Sequence, residues 1–304
     1  MSEIYQVIIV GGGPAGLTAG LYCSRSRLNT LLLEKEMAGG QMTMAELLEN
    51  YPGFPEGISG IELAQLMHQQ AVKYGLEIFP GEVISLETYP RHNVIRTTEG
   101  DFVTECVIIA SGSRFSKLGV LGEDKFVGRG VSYCATCDGP LFKGKEVVVV
   151  GGGDTALNEA LHLSKFASSV TVVHRRDQLR ASKILQERAL AEPRIKFIWN
   201  SIVCALGGDN LLEQISLKST KDATILLLPI AGLFVAVGAE PNTGFLHDVS
   251  ILDEQGYVIT NESMETQIPG ILAAGDVRHK SIGQVIAAAG DGAVAAVTAE
   301  KFLG

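Results

Sequence analysis

The sequence predicts an α/β protein of two doubly wound, three-layer domains, the second inserted into the first, and three observations carry that prediction. The segment VIIVGGGPAGLTAGLYCSRSRLNTLLLEK at 7–35 aligns without a gap to VVVVGGGDTALNEALHLSKFASSVTVVHR at 147–175, at an offset of 140 residues. Each copy opens on an unbroken β-branched run, VIIV or VVVV, the pattern of a parallel strand covered on both faces. The stretch after 246 is too short to build a core of its own, so it returns to the first domain and leaves the middle as an insertion.

Each element of the repeat has a local reason. Gly11, Gly13 and Gly16 give GxGxxG, and Gly151, Gly153 and Ala156 give GxGxxA. The first position permits a tight turn, the second lets backbone approach a pyrophosphate, and the third keeps helix and strand close. Unpaired amides at the following helix N-terminus face an anion. Apolar residues then recur at helical spacing (Ala15, Ala19, Tyr22; Ala156, Ala160, Leu163) before a second strand, TLLLE at 30–34 or VTVVH at 170–174. A lone glycine motif is weak, but strand, glycines, helix and strand in order and twice over read as two Rossmann-like nucleotide-binding units.

The second strands differ where they end. The first closes on Glu34, about 20 residues past the glycines, where a carboxylate accepts hydrogen bonds from a ribose with free hydroxyls; that suits FAD or NAD. The aligned residue of the second is His174, followed by Arg175, Arg176 and Arg180. Guanidinium groups bind a 2′-phosphate that a carboxylate would repel, so this site is expected to take NADPH. A solvated basic cluster is the plainer reading of these arginines, and the register with Glu34 argues against it.

Two turn-rich crossings mark the insertion. VIIASGS at 107–113 runs into KLGVLGEDKFVGRG at 117–130, and a similar strand end recurs in GLFVAVGAEPNTGFL at 232–246. Beyond it, GILAAGDV at 270–277 reads as another strand and AAAGDGAVAAVTAEKFL at 287–303 as a closing helix packed through small residues. The expected domains are 1–116 with 245–304, and 117–244.

With 304 residues the chain has the length of about two domains. A formal net charge of −9 argues against nucleic acid or an anionic membrane surface as a partner. Residues 1–6 lack the basic head of a secretion signal and no apolar run is long enough to span a bilayer, so the expectation is a cytoplasmic protein. Of five cysteines, only Cys134 and Cys137 in SYCATCDG are paired by spacing. Half a zinc site, a structural disulfide and an electron-carrying dithiol are all open at this point.

In order and spacing, GGGPAG at 11–16, GGQ at 39–41, ENYPGF at 49–54, GVSYCATCDG at 130–139, GGGDTA at 151–156, HRRDQLR at 174–180, GAEPNT at 238–243 and AAGDV at 273–277 together resemble the bacterial low-molecular-weight thioredoxin reductases, flavoproteins of the pyridine nucleotide-disulfide oxidoreductase type, over essentially the whole chain. The resemblance implies an FAD domain made of the two chain ends and an inserted NADPH domain carrying the dithiol. It also implies a homodimer and a thioredoxin-like dithiol protein as partner. Motif by motif, Gly11, Gly13, Pro14, Ala15, Gly16, Glu34, Gly40, Gln41, Asn50, Gly275, Asp276, Gln284 and Val285 fall to FAD. Gly151, Gly153, Asp154, Thr155, Ala156, His174, Arg175, Arg176 and Arg180 fall to NADPH, and no metal is expected. Two departures stand out: Gly283 precedes Gln284 where the family usually has arginine, and Ala239 occupies a position where histidine is common.

In that context the pair reads as redox-active. The sequence offers no second CxxC to complete a tetrahedral zinc site, and a bridge across two residues would restrict the unfolded chain little. By resemblance Cys137 is the flavin-proximal sulfur, Cys134 attacks the partner's disulfide, and Asp138 protonates a leaving thiolate; the plainer role for Asp138 is a turn cap. The resemblance further implies that the inserted domain rotates between half-reactions. Two rivals share the motifs: a ferredoxin-NADP reductase-like flavoprotein, which would not need the cysteines, and a nucleotide-binding redox sensor.

Overall fold

The computed structural model describes residues 4–45 and 47–304. In chain order its elements are β1 (Ile4–Val10), α1 (Pro14–Arg25), β2 (Thr30–Glu34), α2 (Gly60–Lys73), β3 (Glu77–Pro80), β4 (Val83–Thr88), β5 (Asn93–Thr97), β6 (Gly100–Ile109) and β7 (Ser113–Phe115). The middle continues with α3 (Glu123–Phe126), β8 (Val131–Ser132), α4 (Ala135–Asp138), β9 (Glu146–Val150), α5 (Asp154–Leu163), β10 (Ser169–Val173), α6 (Lys183–Ala191) and β11 (Ile195–Ile198). It ends with β12 (Ser201–Gly207), β13 (Gln214–Ser219), β14 (Ile225–Pro229), β15 (Gly232–Val235) and β16 (Ala239–Pro241). The chain closes with β17 (Ile271–Ala273) and α7 (Val285–Leu303).

The chain divides into two compact units, residues 1–114 with 240–304 and residues 115–239. The first is built on a sheet ordered β3-β2-β1-β6, on whose far edge β6 pairs in parallel with β17 at Ile271–Ala273 and antiparallel with the meander strand β5. β17 thus brings the C-terminal segment back to the sheet that the N-terminus began. The second unit repeats the plan with a parallel sheet β11-β10-β9-β15-β8 and a separate meander β12-β13-β14.

Strand periodicity explains the three layers. In β1, Val7 and Ile9 point into a core shared with α1, α2 and α7, while Ile8 and Val10 point into one shared with Leu86 and Ile95 of the meander. In β9, Val147 and Val149 meet α5 and α6, and Val148 and Val150 meet Val203, Ile215 and Leu217. Both faces of each central strand are therefore out of water, which is why the runs are continuous rather than alternating. Each such side chain contributes about 1.5–3 kcal/mol.

The helices of the first unit pack closely through small residues. α7 lays Ala288, Gly292, Ala295, Ala296 and Ala299 against α1, and a Cβ on Gly292 would run into the Ala15 carbonyl.

Candidate active site

In the first unit the chain gathers distant segments around the start of α1. Gly11 turns the chain at φ +105°, and a Cβ on Gly16 would run into its carbonyl oxygen. Gly12 N donates to Glu34 Oε2 at 2.6 Å and Gly39 N donates to Gly12 O at 2.8 Å, so the end of β2 and the GGQ segment are both tied to the glycine turn. Gly40 lies against Gly13, Gly275 lies against Ala15, and Pro14 opens the helix behind Gly13. Space for a Cβ is open at Gly13 itself. Gln41 Nε2 donates to Ser113 O, while its Oε1 is buried with no partner among the described residues. Asn50 donates to Gln284 Oε1 at 3.0 Å across 234 residues of sequence, and Val285 packs beside Met42 and Leu48. Ser281 donates to Asp276 Oδ1 at 2.9 Å; burial, the larger influence, raises the Asp276 carboxyl above its ordinary range. Gly283 has φ +64°, so the usual arginine would be strained there in this backbone.

The turn carrying Asp276 is fastened by two residues that the sequence patterns did not single out. Asp291 on α7 accepts from Gly275 N at 3.1 Å and from Arg278 Nε at 2.9 Å, in a largely buried ion pair. Only the tertiary packing of α7 brings them together.

The second unit repeats the glycine turn with different chemistry. Space for a Cβ is again open at Gly153, but at Gly152 a Cβ would collide with the His174 ring. His174 is buried, its Nε2 lies 3.1 Å from Gln178 O, and burial first, then the neighbouring arginines, lowers its pKa. The ring nitrogen facing this carbonyl is placed to donate to it, and the lowered pKa favours the uncharged ring. Arg175, Arg176 and Arg180 are exposed, and none forms an ion pair among the described residues. Asp154 Oδ1 accepts from Ser182 N at 2.6 Å and Gly152 O accepts from Arg180 N at 2.7 Å, so Asp154 helps hold the segment that presents Arg180. Thr155 is exposed on the first turn of α5 and Ala156 is fully buried.

Cys134 and Cys137 form a disulfide with their Cα atoms 5.3 Å apart. Cys134 caps α4: its Sγ accepts from Cys137 N at 3.1 Å, and its own amide donates to Ser132 Oγ at 3.1 Å. Asp138 N donates to Cys134 O at 3.1 Å. Burial raises the Asp138 carboxyl, against a hydrogen bond with Ser132 that lowers it, so its acid form persists to higher pH than an exposed aspartate's. Just upstream, the buried Glu123 accepts from Leu118 N, Gly119 N and Tyr133 OH at 2.8–2.9 Å, and Tyr133 stacks on Phe115. Glu159 of α5 touches the other side of the dithiol turn through Ala135 N. A charge standing next to the buried stripe Ala156, Leu157, Ala160 was the one available signal for it.

Comparison with known proteins places this arrangement. The pyridine nucleotide-disulphide oxidoreductase family matches residues 5–292. Thioredoxin reductase of Listeria innocua is 44% identical over 302 residues, 99% of this chain and 94% of that protein. The crystal structure of thioredoxin reductase from Streptococcus pyogenes is 42% identical and superposes with a TM-score of 0.96 over 100% of this chain and 99% of its own. Lactococcus lactis thioredoxin reductase in its FR conformation is 44% identical with a TM-score of 0.68, over 98% and 99%. The family implies a flavin and a pyridine nucleotide, and this chain carries one glycine turn in each unit and a CxxC disulfide in the second. The chain belongs to the pyridine nucleotide-disulphide oxidoreductase family, among its thioredoxin reductases.

Proposed function

We propose that this enzyme carries electrons from NADPH through FAD and the Cys134–Cys137 disulfide to an oxidised thioredoxin or thioredoxin-like protein. The single observation that carries the reading is that disulfide, formed at the start of a short helix in the unit whose glycine turn is flanked by exposed arginines.

The residues fit the two cofactors. Backbone can approach a pyrophosphate at Gly13 and at Gly153, where no protein atom occupies the Cβ direction. In the first unit Glu34, at the end of β2, would accept from ribose hydroxyls, with Gly11, Pro14, Ala15, Gly16, Gly40, Asn50, Gly275, Asp276, Gln284 and Val285 completing the FAD site. The partnerless Oε1 of Gln41 is an acceptor that a flavin N–H would satisfy. In the second, Arg175, Arg176 and Arg180 would hold the 2′-phosphate; His174 supports the turn from beneath, and Asp154 and Thr155 stand at the helix start with Gly151 and Ala156 behind them. Bound together, the cofactors supply a hydride relay that delivers two electrons to a disulfide.

The chain's own residues do the rest. Cys137 receives the electrons and Cys134, freed as a thiolate, attacks the partner's disulfide. Asp138 donates the proton that a leaving thiolate needs, a task its raised pKa favours. Gly112 and Gly238 have positive φ beside the two crossings, β7 and β16, and suit hinges for a rotation of residues 117–244 against the remainder between half-reactions. Solved relatives of nearly equal identity superpose at 0.96 and 0.68, the spread expected of a family with more than one domain arrangement. The enzyme works as a homodimer in the cytoplasm; among the described residues no helix is long and apolar enough to cross a membrane.

The test is steady-state oxidation of NADPH with and without oxidised thioredoxin. Turnover should require the thioredoxin and vanish in Cys134→Ser; turnover that survives this substitution contradicts the mechanism.

A further inference from the structure

Glu159 is a carboxyl that none of these roles uses. Its Oε1 accepts from Ala135 N at 3.4 Å, the first helical amide after Cys134, and its Oε2 is sealed from solvent with no hydrogen-bond partner among the described residues. An ionised oxygen left in that state loses its hydration without a compensating hydrogen bond, so the carboxyl has a reason to hold a proton. The elements packed against its helix carry Cys134, Cys137 and Asp138 at α4, Glu146 on β9, and Lys183, Glu187 and Arg188 on α6; Asp154 and His162 share that helix. Among charged neighbours none sets its acidity: burial pushes the Glu159 pKa up to about 7, and the Ala135 amide alone pulls the other way.

We propose that Glu159 is a positioning residue of the dithiol, holding the amide that begins α4 while the disulfide is closed and taking up a proton when it opens. The inference rests on the reading of Cys134 and Cys137 as the redox pair. Two electrons, from the hydride of NADPH, and one proton break the S–S bond and leave one thiol and one thiolate. That thiolate forms at the helix start whose first amide Glu159 holds, so a carboxylate and a thiolate would share one half-buried turn, where their repulsion is screened less than in water. A second proton, from solvent onto Glu159, removes the conflict. Above neutral pH, where Glu159 keeps its charge, the carboxylate holds the thiol pKa up.

The test is the pH profile of iodoacetamide labelling of Cys134 and Cys137, read by mass spectrometry on the FAD-loaded enzyme reduced with a phosphine. Glu159→Gln keeps an acceptor for Ala135 N and removes the titration, so a merely structural role leaves the profile unmoved. The expected result is a thiolate profile shifted to lower pH in Glu159→Gln. A profile superimposable on the wild type overturns the proposal. A parallel arm replaces phosphine with NADPH: no labelled thiols there would overturn the redox reading itself, while the phosphine arm still reports on Glu159.

Discussion

The two glycine turns of this chain share a backbone plan and differ in what stands beneath and behind them. In the first, Glu34 accepts from Gly12 N, and Gly16 is held so close to Gly11 that no Cβ fits. In the second, the His174 ring fills the space under Gly152, and Ala156 is accommodated at the third position. The first turn is also locked from the C-terminal helix through Asp291, Gly275 and Arg278, whereas the second is fastened by its own unit's Asp154 and Ser182. On the proposed reading, one duplicated frame would serve two adenine nucleotides, with Glu34 in the first unit and the arginines after His174 in the second, and not the turn itself, selecting the ribose.

The sharpest way to break this comparison is at the third motif position. Gly16→Ala drives a methyl into the Gly11 carbonyl and should cost about 3 kcal/mol or more, read as a lower unfolding midpoint and loss of bound flavin. The reciprocal change, Ala156→Gly, should cost only about 1 kcal/mol in the same assay. Equal effects would mean that the two turns are not differently packed. Nearly as large is Asp291→Ala, which leaves Arg278 without its partner in a largely buried site; the expected loss is about 3 kcal/mol together with weaker flavin retention, while NADPH affinity is unchanged.

Next in size is coenzyme choice. Removing Arg175 and Arg176 together takes away charge-assisted hydrogen bonds of about 1.5–3 kcal/mol, so the KM for NADPH should rise roughly 10–100-fold while that for NADH stays constant. A parallel rise for both would place the arginines outside the 2′-phosphate site.

The smallest effect depends on pH. The Glu159 pKa is raised in the folded state from 4.5 to about 7, so the native protein holds that proton more tightly than the unfolded chain. Its stabilisation is complete below about 4.5 and is lost as pH rises through about 7. Denaturant midpoints of wild type and Glu159→Gln should therefore diverge between these values, the variant gaining at least about 1 kcal/mol relative to wild type by pH 8. Parallel pH curves would contradict the burial of this carboxyl.

The contrast between the units also shows what a sequence discloses. The repeat, its strands and its helices were legible because β-branched runs, glycines and helical spacing are local signals; so was the contrast of Glu34 with His174. The cap that Cys134 makes on Cys137 N lies within one short stretch, yet the Ser132 hydroxyl beside it carried no distinguishing pattern. The contacts from outside that stretch were hidden for a different reason. Asn50 meets Gln284, Asp291 meets Gly275, and Glu159 meets Ala135 only after sheets and helices have packed, and a single polar residue at the edge of an apolar stripe looks like any solvated one beforehand. His174 was legible as a position but not as a conformation: the ring that aligns with Glu34 turns inward under Gly152 and leaves the charge to the arginines.

The most direct measurement is an anaerobic titration of the purified flavoprotein with NADPH, following the flavin spectrum while counting thiols at Cys134 and Cys137. In the wild type the pair should accept two electrons from NADPH, and oxidised thioredoxin should then return it to the disulfide. Flavin that bleaches while both sulfurs stay oxidised would contradict it.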